Sequence, residues 1–206
     1  MTINKKTLNI LGTRGVPGQH GGFETFAEHL ALYLVEKGWH VRVYCQLKDE
    51  ERDRSKNGTT DIWRGIERIH FAPRRSGPIG TIEFDLKCVL DVTQRDGIDL
   101  VLGYNTAVFN IIQRLRGRTV FMNMDGIEWK RAKWPWHGKL WFYINEWAGA
   151  FSGNHLIADH PEIKKHLQTR FIHESHIEMI PYGAPKVEKA DPDLISPYGL
   201  ASGNYA

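Results

Sequence analysis

The sequence predicts an α/β protein: a Rossmann-like, doubly wound, mainly parallel sheet with helices on both faces. Short apolar runs alternate with amphipathic segments roughly seven times along the chain, the pattern of an open α/β sheet. The opening reads strand, loop, helix, strand, and such a crossover implies parallel pairing. Between that first strand and helix lies a loop holding Gly12, Gly15, Gly18, Gly21 and Gly22.

Residues 8–11 are mostly apolar and end at Gly12, as a buried strand does. Phe23, Phe26, Ala27, Leu30, Ala31 and Leu34 recur at helical spacing, and Gly38 stops that helix. Residues 41–45 form the second strand. The charged run 48–58 reads as a solvated loop, 60–71 as two short strands turning near Gly65, and 73–80 as a Pro/Gly-rich loop. A helix follows with Ile82, Leu86, Val89, Leu90 and Thr93 on one face, then strand 100–102, helix 107–115 and strand 119–124. Residues 137–152 predict a long helix whose stripe of Leu140, Ile144, Trp147, Ala148 and Phe151 faces the core. Strand 155–158, a Pro-initiated helix over 161–169 and strand 177–180 complete the domain. Beyond Pro181 prolines punctuate a polar stretch without periodicity. One domain is therefore expected over 1–184, with an interdomain linker and the truncated start of a second domain over 185–206.

With 27 basic against 24 acidic residues, the net charge of +3 is too near balance to indicate a nucleic-acid partner. An apolar fraction of 41% is ordinary for a globular chain. Cys45 and Cys88 lack metal-ligand spacing and suit buried, reduced thiols. The histidines show no ligand spacing, so no metal is expected. No apolar run approaches the ~20 residues of a membrane span, and residues 1–6 do not resemble a signal peptide. The composition reads as cytoplasmic.

The Gly-rich loop should sit at the carboxyl ends of the strands, where doubly wound sheets bind ligands and a helix N-terminus presents free N–H groups. It is not a P-loop, because it ends Gly21-Gly22-Phe23-Glu24 rather than Gly-Lys-Ser/Thr. Nor is it a dinucleotide fingerprint: the early glycines are three apart, and the second strand ends Tyr44-Cys45-Gln46 without the acidic ribose partner. An NAD(P)-linked epimerase or dehydrogenase is disfavoured on the same grounds.

The remaining pattern, strand, glycine loop, Gly21-Gly22-Phe23-Glu24, helix, then Gly38-Trp39-His40-Val41-Arg42-Val43, resembles the start of family-4-type GT-B glycosyltransferases. Trp39, inserted before the histidine, departs from their usual Gly-His. Gly12-Thr13-Arg14-Gly15-Val16-Pro17 and Asp125-Gly126-Ile127-Glu128-Trp129-Lys130-Arg131-Ala132-Lys133-Trp134 are similar to the rhamnosyltransferase-like branch of bacterial polysaccharide synthesis. Ile180-Pro181-Tyr182-Gly183 resembles the family's exit segment. The resemblance implies half of a GT-B fold, without metal or cofactor. It implies transfer of a sugar, with rhamnose a candidate, from a nucleotide sugar to a lipid-linked glycan with retention. Most donor contacts would lie in an absent second domain, leaving the isolated chain inactive. The competing expectation is a non-catalytic carbohydrate-binding or assembly module.

Asp125 and Glu128 follow a strand and are the candidate catalytic carboxylates, as base or hydroxyl acceptor. The alternatives are that Asp125 caps the next segment and that Glu128 pairs with Lys130 or Arg131. Candidate substrate contacts are His20, Gly21, Gly22, Glu24, Asn105, Asp159 and Tyr182, with helix capping the competing role for Asn105. Five of the seven tryptophans fall within 129–147, interleaved with cations. Trp129, Lys130, Arg131, Lys133 and Trp134 are therefore expected to touch an anionic membrane at the inner face of the cytoplasmic membrane, unless the aromatics are core residues.

Overall fold

A computed structural model describes residues 6–19, 21–47, 54–170, 173–183 and 197–199. The expected linker over 185–206 lies outside the described residues except for 197–199. The strands are β1 (Thr7–Leu11), β2 (His40–Gln46), β3 (Thr59–Trp63), β4 (Ile66–Phe71), β5 (Ile98–Leu102), β6 (Val120–Asn123), β7 (His155–Ala158) and β8 (Ile177–Met179). They form one sheet in the order β3-β4-β2-β1-β5-β6-β7-β8. Every neighbouring pair is parallel except the β3–β4 hairpin. This is the doubly wound α/β architecture expected from the sequence.

Alternation along each strand sends side chains to two core layers. Leu8, Ile10, Val41 and Val43 meet Ala27 and Ala31 of α1 (Gly22–Glu36), with Phe23, Phe26, Leu30 and Leu34 around them. On the opposite face Leu11, Tyr44, Val101 and Met122 pack against α2 (Gly77–Val92), α3 (Asn110–Leu115), α4 (Trp136–Ser152) and α5 (Pro161–Gln168). Both cysteines are buried and free.

Two helical faces differ from expectation. The first, α2, begins at Gly77, inside the expected loop, with a proline in its first turn, and buries Phe84, Cys88, Val89 and Val92. Leu90, assigned to the core by periodicity, is 47% exposed. In α4 three residues of the expected core stripe face outward, with Leu140, Ile144 and Phe151 50%, 48% and 68% exposed, while Ala148 is buried as expected. Its buried residues join Ala148 to Asn145, Glu146, Gly149, Ala150 and Ser152. Close approach explains this, because a Cβ on Gly149 would stand 2.7 Å from Met122 Sδ. Small residues let this helix lie on the sheet, and Asn145 Oδ1 accepts the Val108 N–H at 3.0 Å.

At the amino-terminal edge of the sheet, Asp99 of β5 is fully buried. It accepts from Asn9 Nδ2 (2.9 Å), Gln113 Nε2 (2.9 Å) and Arg118 Nε (2.8 Å), joining β1, β5 and the segment before β6. Removing one partner of a buried pair strands the other charge, at about 3–5 kcal/mol. D99A is therefore expected to lose stability on that scale in urea unfolding; a loss under ~1 kcal/mol would place the Arg118 contact among weak surface pairs.

Candidate functional site

The strand order reverses at β1: the chain runs outward through β2 and β4, then returns to place β5 on β1's other side. At such a switch point the two loops diverge and leave a crevice at the carboxyl edge. Gly12, with φ of +79°, begins the β1 loop. A Cβ there would stand 2.2 Å from the Leu102 carbonyl oxygen, so only glycine lets the two strand ends approach before parting.

Two clefts flank the glycine loop. The larger, about 730 Å³, runs between the loop and the ends of β2, β3 and β4, with Arg14, Gln46, Lys56, Asp61, Arg68 and His70 on its walls. The smaller, about 190 Å³, occupies the crevice at the switch point, between Gly12–Arg14 and Gly103–Thr106, with Asp85 of α2 at its side. Arg14, Glu24 and Gln46 belong to both, forming the ridge between them.

In the larger cleft Arg68 donates both to Asp61 Oδ1 (2.7 Å) and to Asp61 Oδ2 (2.6 Å), holding that carboxyl below its ordinary range. Arg68 also donates to the Val16 carbonyl at 3.2 Å, fixing the loop to β4. Among the described residues no carboxylate side chain pairs with Arg14 or Lys56. In the crevice Asp85 Oδ2 accepts from Thr106 Oγ1 at 2.7 Å and has no cationic partner among the described residues. Burial raises its carboxyl to about 6, the Thr106 hydroxyl opposing. Asn110, 2% exposed, lines the same crevice with its Nδ2 unpartnered.

The glycine loop is partly shaped by its own acids. Glu24 Oε1 accepts the Arg14 N–H at 3.4 Å, and Glu28 Oε2 accepts the Gly18 N–H at 2.7 Å. Gly21 occupies the N-cap of α1 in extended conformation, and Gly22 is the first helical residue. His20 lies outside the described residues. Asn105 lines the crevice, and its carbonyl accepts from Trp141 Nε1 at 2.8 Å. The capping position of the 3₁₀ turn over Ala107–Phe109 belongs to Thr106, so Asn105 does not cap it.

Asp125, Asp159 and Tyr182 gather in a third place, at the ends of β6 and β7, and line neither cleft. Asp125 has φ of +44°, a left-handed conformation that Asp tolerates better than most residues. Burial raises its pKa, with the Glu128 and Asp159 carboxylates adding to the rise. Tyr182 Oη accepts from Asn123 Nδ2 at 3.0 Å, and its ring meets Phe26 of α1 edge-on at 5.5 Å. Glu128 is a different case. Its carboxylate meets Arg131 (2.9 Å), Lys133 (3.6 Å) and Trp134 Nε1 (2.9 Å). Tyr104 Oη accepts the Glu128 N–H (2.8 Å) and donates to the Gly126 carbonyl (2.9 Å). So engaged, Glu128 is an anchor for its segment and not a free base.

The two tryptophans expected at a membrane, Trp129 and Trp134, are engaged within the domain. Trp129 Nε1 donates to buried Glu146 at 2.9 Å, and Trp134 packs against Phe142. Both indoles are tied to buried carboxylates and folded against the domain. The outward apolar residues are Trp136, Leu140, Tyr143, Ile144 and Phe151. Sequence reading also missed Arg14, Arg68, His70, Asp85, Thr106 and Asn110. The alternation of Arg68 and His70 along β4 was a usable signal, whereas Asp85 looked like any solvated helix residue. Among the described residues no group of His, Cys, Asp and Glu could hold a metal, and no helix is long and apolar enough to cross a membrane.

The sheet order and the crevice at its switch point define a Rossmann-type, doubly wound module. The chain belongs to the family described as a domain of unknown function, DUF1972, whose pattern matches residues 5–185. No curated protein matches the sequence. Among solved structures it is similar to Anabaena Alr3699/HepE in complex with UDP and glucose (TM-score 0.57, 14% identity, covering 95% of this chain and 50% of that one). It is similar to UDP-N-acetylglucosamine 2-epimerase from Rickettsia bellii (TM-score 0.57, 13% identity, 85% and 44%). It is also similar to Arabidopsis thaliana UGT89C1 complexed with UDP-L-rhamnose (TM-score 0.51, 12% identity, 96% and 55%). At these identities the likeness is one of fold, and the chain spans about half the length of each.

The Asp85 carboxyl gives the site a pH signature. A carboxyl raised from 3.8 to about 6 favours the protonated fold, so its contribution is full below its unfolded value and lost as pH rises through about 6. D85N lacks this titration. Between about pH 4 and 7 the variant should gain on the order of 2 kcal/mol relative to wild type, allowing for partial screening by solvent. Urea melts across that range test it; parallel curves would mean an ordinary carboxyl.

Proposed function

We propose that this chain is the acceptor-side half of a glycosyltransferase that moves a sugar from a nucleotide-sugar donor to a lipid-linked glycan with retention of configuration. A rhamnosyl donor is the specific expectation, supported by the sequence resemblance. The observation that carries the reading is the pair of clefts that share Arg14 and Glu24 on either side of the glycine loop, in a fold shared with enzymes of nucleotide sugars. The larger cleft would take the glycan, with Arg14 and Lys56 suited to its phosphate-bearing end. Asp125, half-buried beside Asp159 and Tyr182, would meet a hydroxyl near the point of transfer. The nucleotide sugar is a co-substrate, and no further cofactor is invoked.

The test is label transfer from UDP-, dTDP- and GDP-sugars to membrane lipids, by these 206 residues and by the chain joined to a donor-binding half. Transfer is expected only from the joined form, with D125N lowering turnover at least about tenfold, the equivalent of 1.4 kcal/mol. Activity from the 206 residues by themselves would overturn the half-site reading. No transfer by the joined form with any donor would favour a carbohydrate-binding module, a reading to which the self-bonded glycine loop also lends support.

A lipid-linked acceptor places the enzyme at a membrane surface, at the inner face of the cytoplasmic membrane. We assign that contact to the outward face of α4, not to Trp129 and Trp134. Over residues 129–152 the charges outside the core are Lys130, Arg131, Lys133 and Lys139, while Glu146 is buried. Apolar side chains rimmed by cations match an anionic lipid surface. The chain should co-float with vesicles containing phosphatidylglycerol at low salt, and I144S/F151S should lose most of that binding. Absence of co-flotation by the wild type would refute it.

A further inference from the structure

We propose that the crevice between the β1 and β5 loops is a subsite for a single neutral sugar ring, in which Asp85 accepts a hydrogen bond from a ring hydroxyl. The inference rests on the glycosyltransferase reading and assigns one residue of its acceptor side. A carboxylate withdrawn from solvent is usually paired with a cation, yet Asp85, partly buried at the crevice, has only the Thr106 hydroxyl, at 2.7 Å. Beside it Asn110 keeps an amide nitrogen buried without a partner, an arrangement native proteins avoid unless something else satisfies it. An acceptor without a cation and a donor without a partner, on two residues that line one crevice, match the paired hydroxyls of a pyranose, each of which both donates and accepts.

The rest of the crevice narrows the ligand class. At about 190 Å³ it falls below the roughly 300–1,000 Å³ of sites that enclose a whole ligand, so it suits one ring of a longer glycan. Phe84, Val101 and Leu102 supply apolar wall for a ring's C–H face. The other titratable groups facing it are Arg14 from the loop, Glu24 from α1 and Cys88 from α2. Two carboxylates against one guanidinium disfavour phosphate, and Arg14 disfavours a cation. A neutral polyol meets neither penalty.

The test is amide NMR of the 206-residue chain titrated with the methyl glycosides of rhamnose, glucose, galactose and N-acetylglucosamine. At least one should saturably shift the amides of Asp85, Gly103, Asn105 and Thr106. D85N should weaken that binding at least about tenfold, 1.4 kcal/mol in affinity. E83Q, altering the neighbouring carboxylate paired with Lys87 at 2.8 Å, should leave it unchanged. Lowering the pH from about 7.5 to 5 should weaken wild type and not D85N, which a merely structural Asp85 would not produce. No shift at these amides up to about 50 mM, well beyond millimolar affinity, would overturn the subsite, as would equal binding by D85N. Shifts confined to Arg14, Asp61 and His70 would overturn it while leaving the acceptor reading intact. Crevice binding that depends on Asp85, with no transfer by the joined form, would keep the subsite and sink the transferase.

Discussion

The close passage of Gly12 over the Leu102 carbonyl sets the rest of the site. Strand order reverses at β1, so its loop must leave toward β2 while the neighbouring β5 loop leaves the other way. The two can part only after their backbones have come nearly into contact, which the positive φ of Gly12 allows. Divergence from that point opens the crevice, and the β1 loop itself becomes the wall dividing it from the larger cleft. Arg14 and Glu24 face both sides because they sit on that wall. A bulkier residue at 12 would push β1 and β5 apart and blur the two clefts into one.

The two edges of the sheet treat charge in opposite ways. At the amino edge Arg42, Arg95 and Arg118 meet Glu67, Asp91, Asp96 and Asp99 in short, mostly shielded pairs. There, deep burial of Asp99 is tolerated because three donors replace its water. At the carboxyl edge, among the described residues, Arg14 and Lys56 lack carboxylate side-chain partners and Asp85 lacks a cation. On the side where the loops part, Arg14 and Lys56 are open to solvent and Asp85 is partly buried with a hydroxyl as its partner. Unspent interaction of this kind is what a binding site retains and a structural edge does not.

The sheet, its parallel pairing and the first helix were legible because period and punctuation carry them: Leu8–Leu11 against Gly12, and Phe23 through Leu34 against Gly38. The outer face of α4 was not. Periodicity reports where apolar residues recur, and in this helix they recur on the outside; the buried side includes Asn145, Ala148, Gly149 and Ser152, whose fitness is size and not hydropathy. The same limit hid Asp85. On α2 it lies among Glu83 and Lys87, and nothing local separates a carboxyl facing solvent from one facing a crevice that exists only once β5 has come alongside β1. Trp129 and Trp134 illustrate the reverse. Their composition suited a membrane interface, but their indole N–H groups found Glu146 and Glu128, partners that appear only in three dimensions.

The glycine loop changes meaning on this structure. Five glycines ahead of a helix suggest a cradle whose free amides await a phosphate. Here the amides of Arg14 and Gly18 already bond Glu24 and Glu28, and those carboxylates would repel a diphosphate placed on them. The loop's glycines serve shape instead: they let the chain turn between two clefts while α1's first acids hold it in place. The groups left for a ligand then lie to either side, cations toward β4 and an open carboxyl toward β5. Such a division suits a glycan that carries its charge at one end and only hydroxyls at the other.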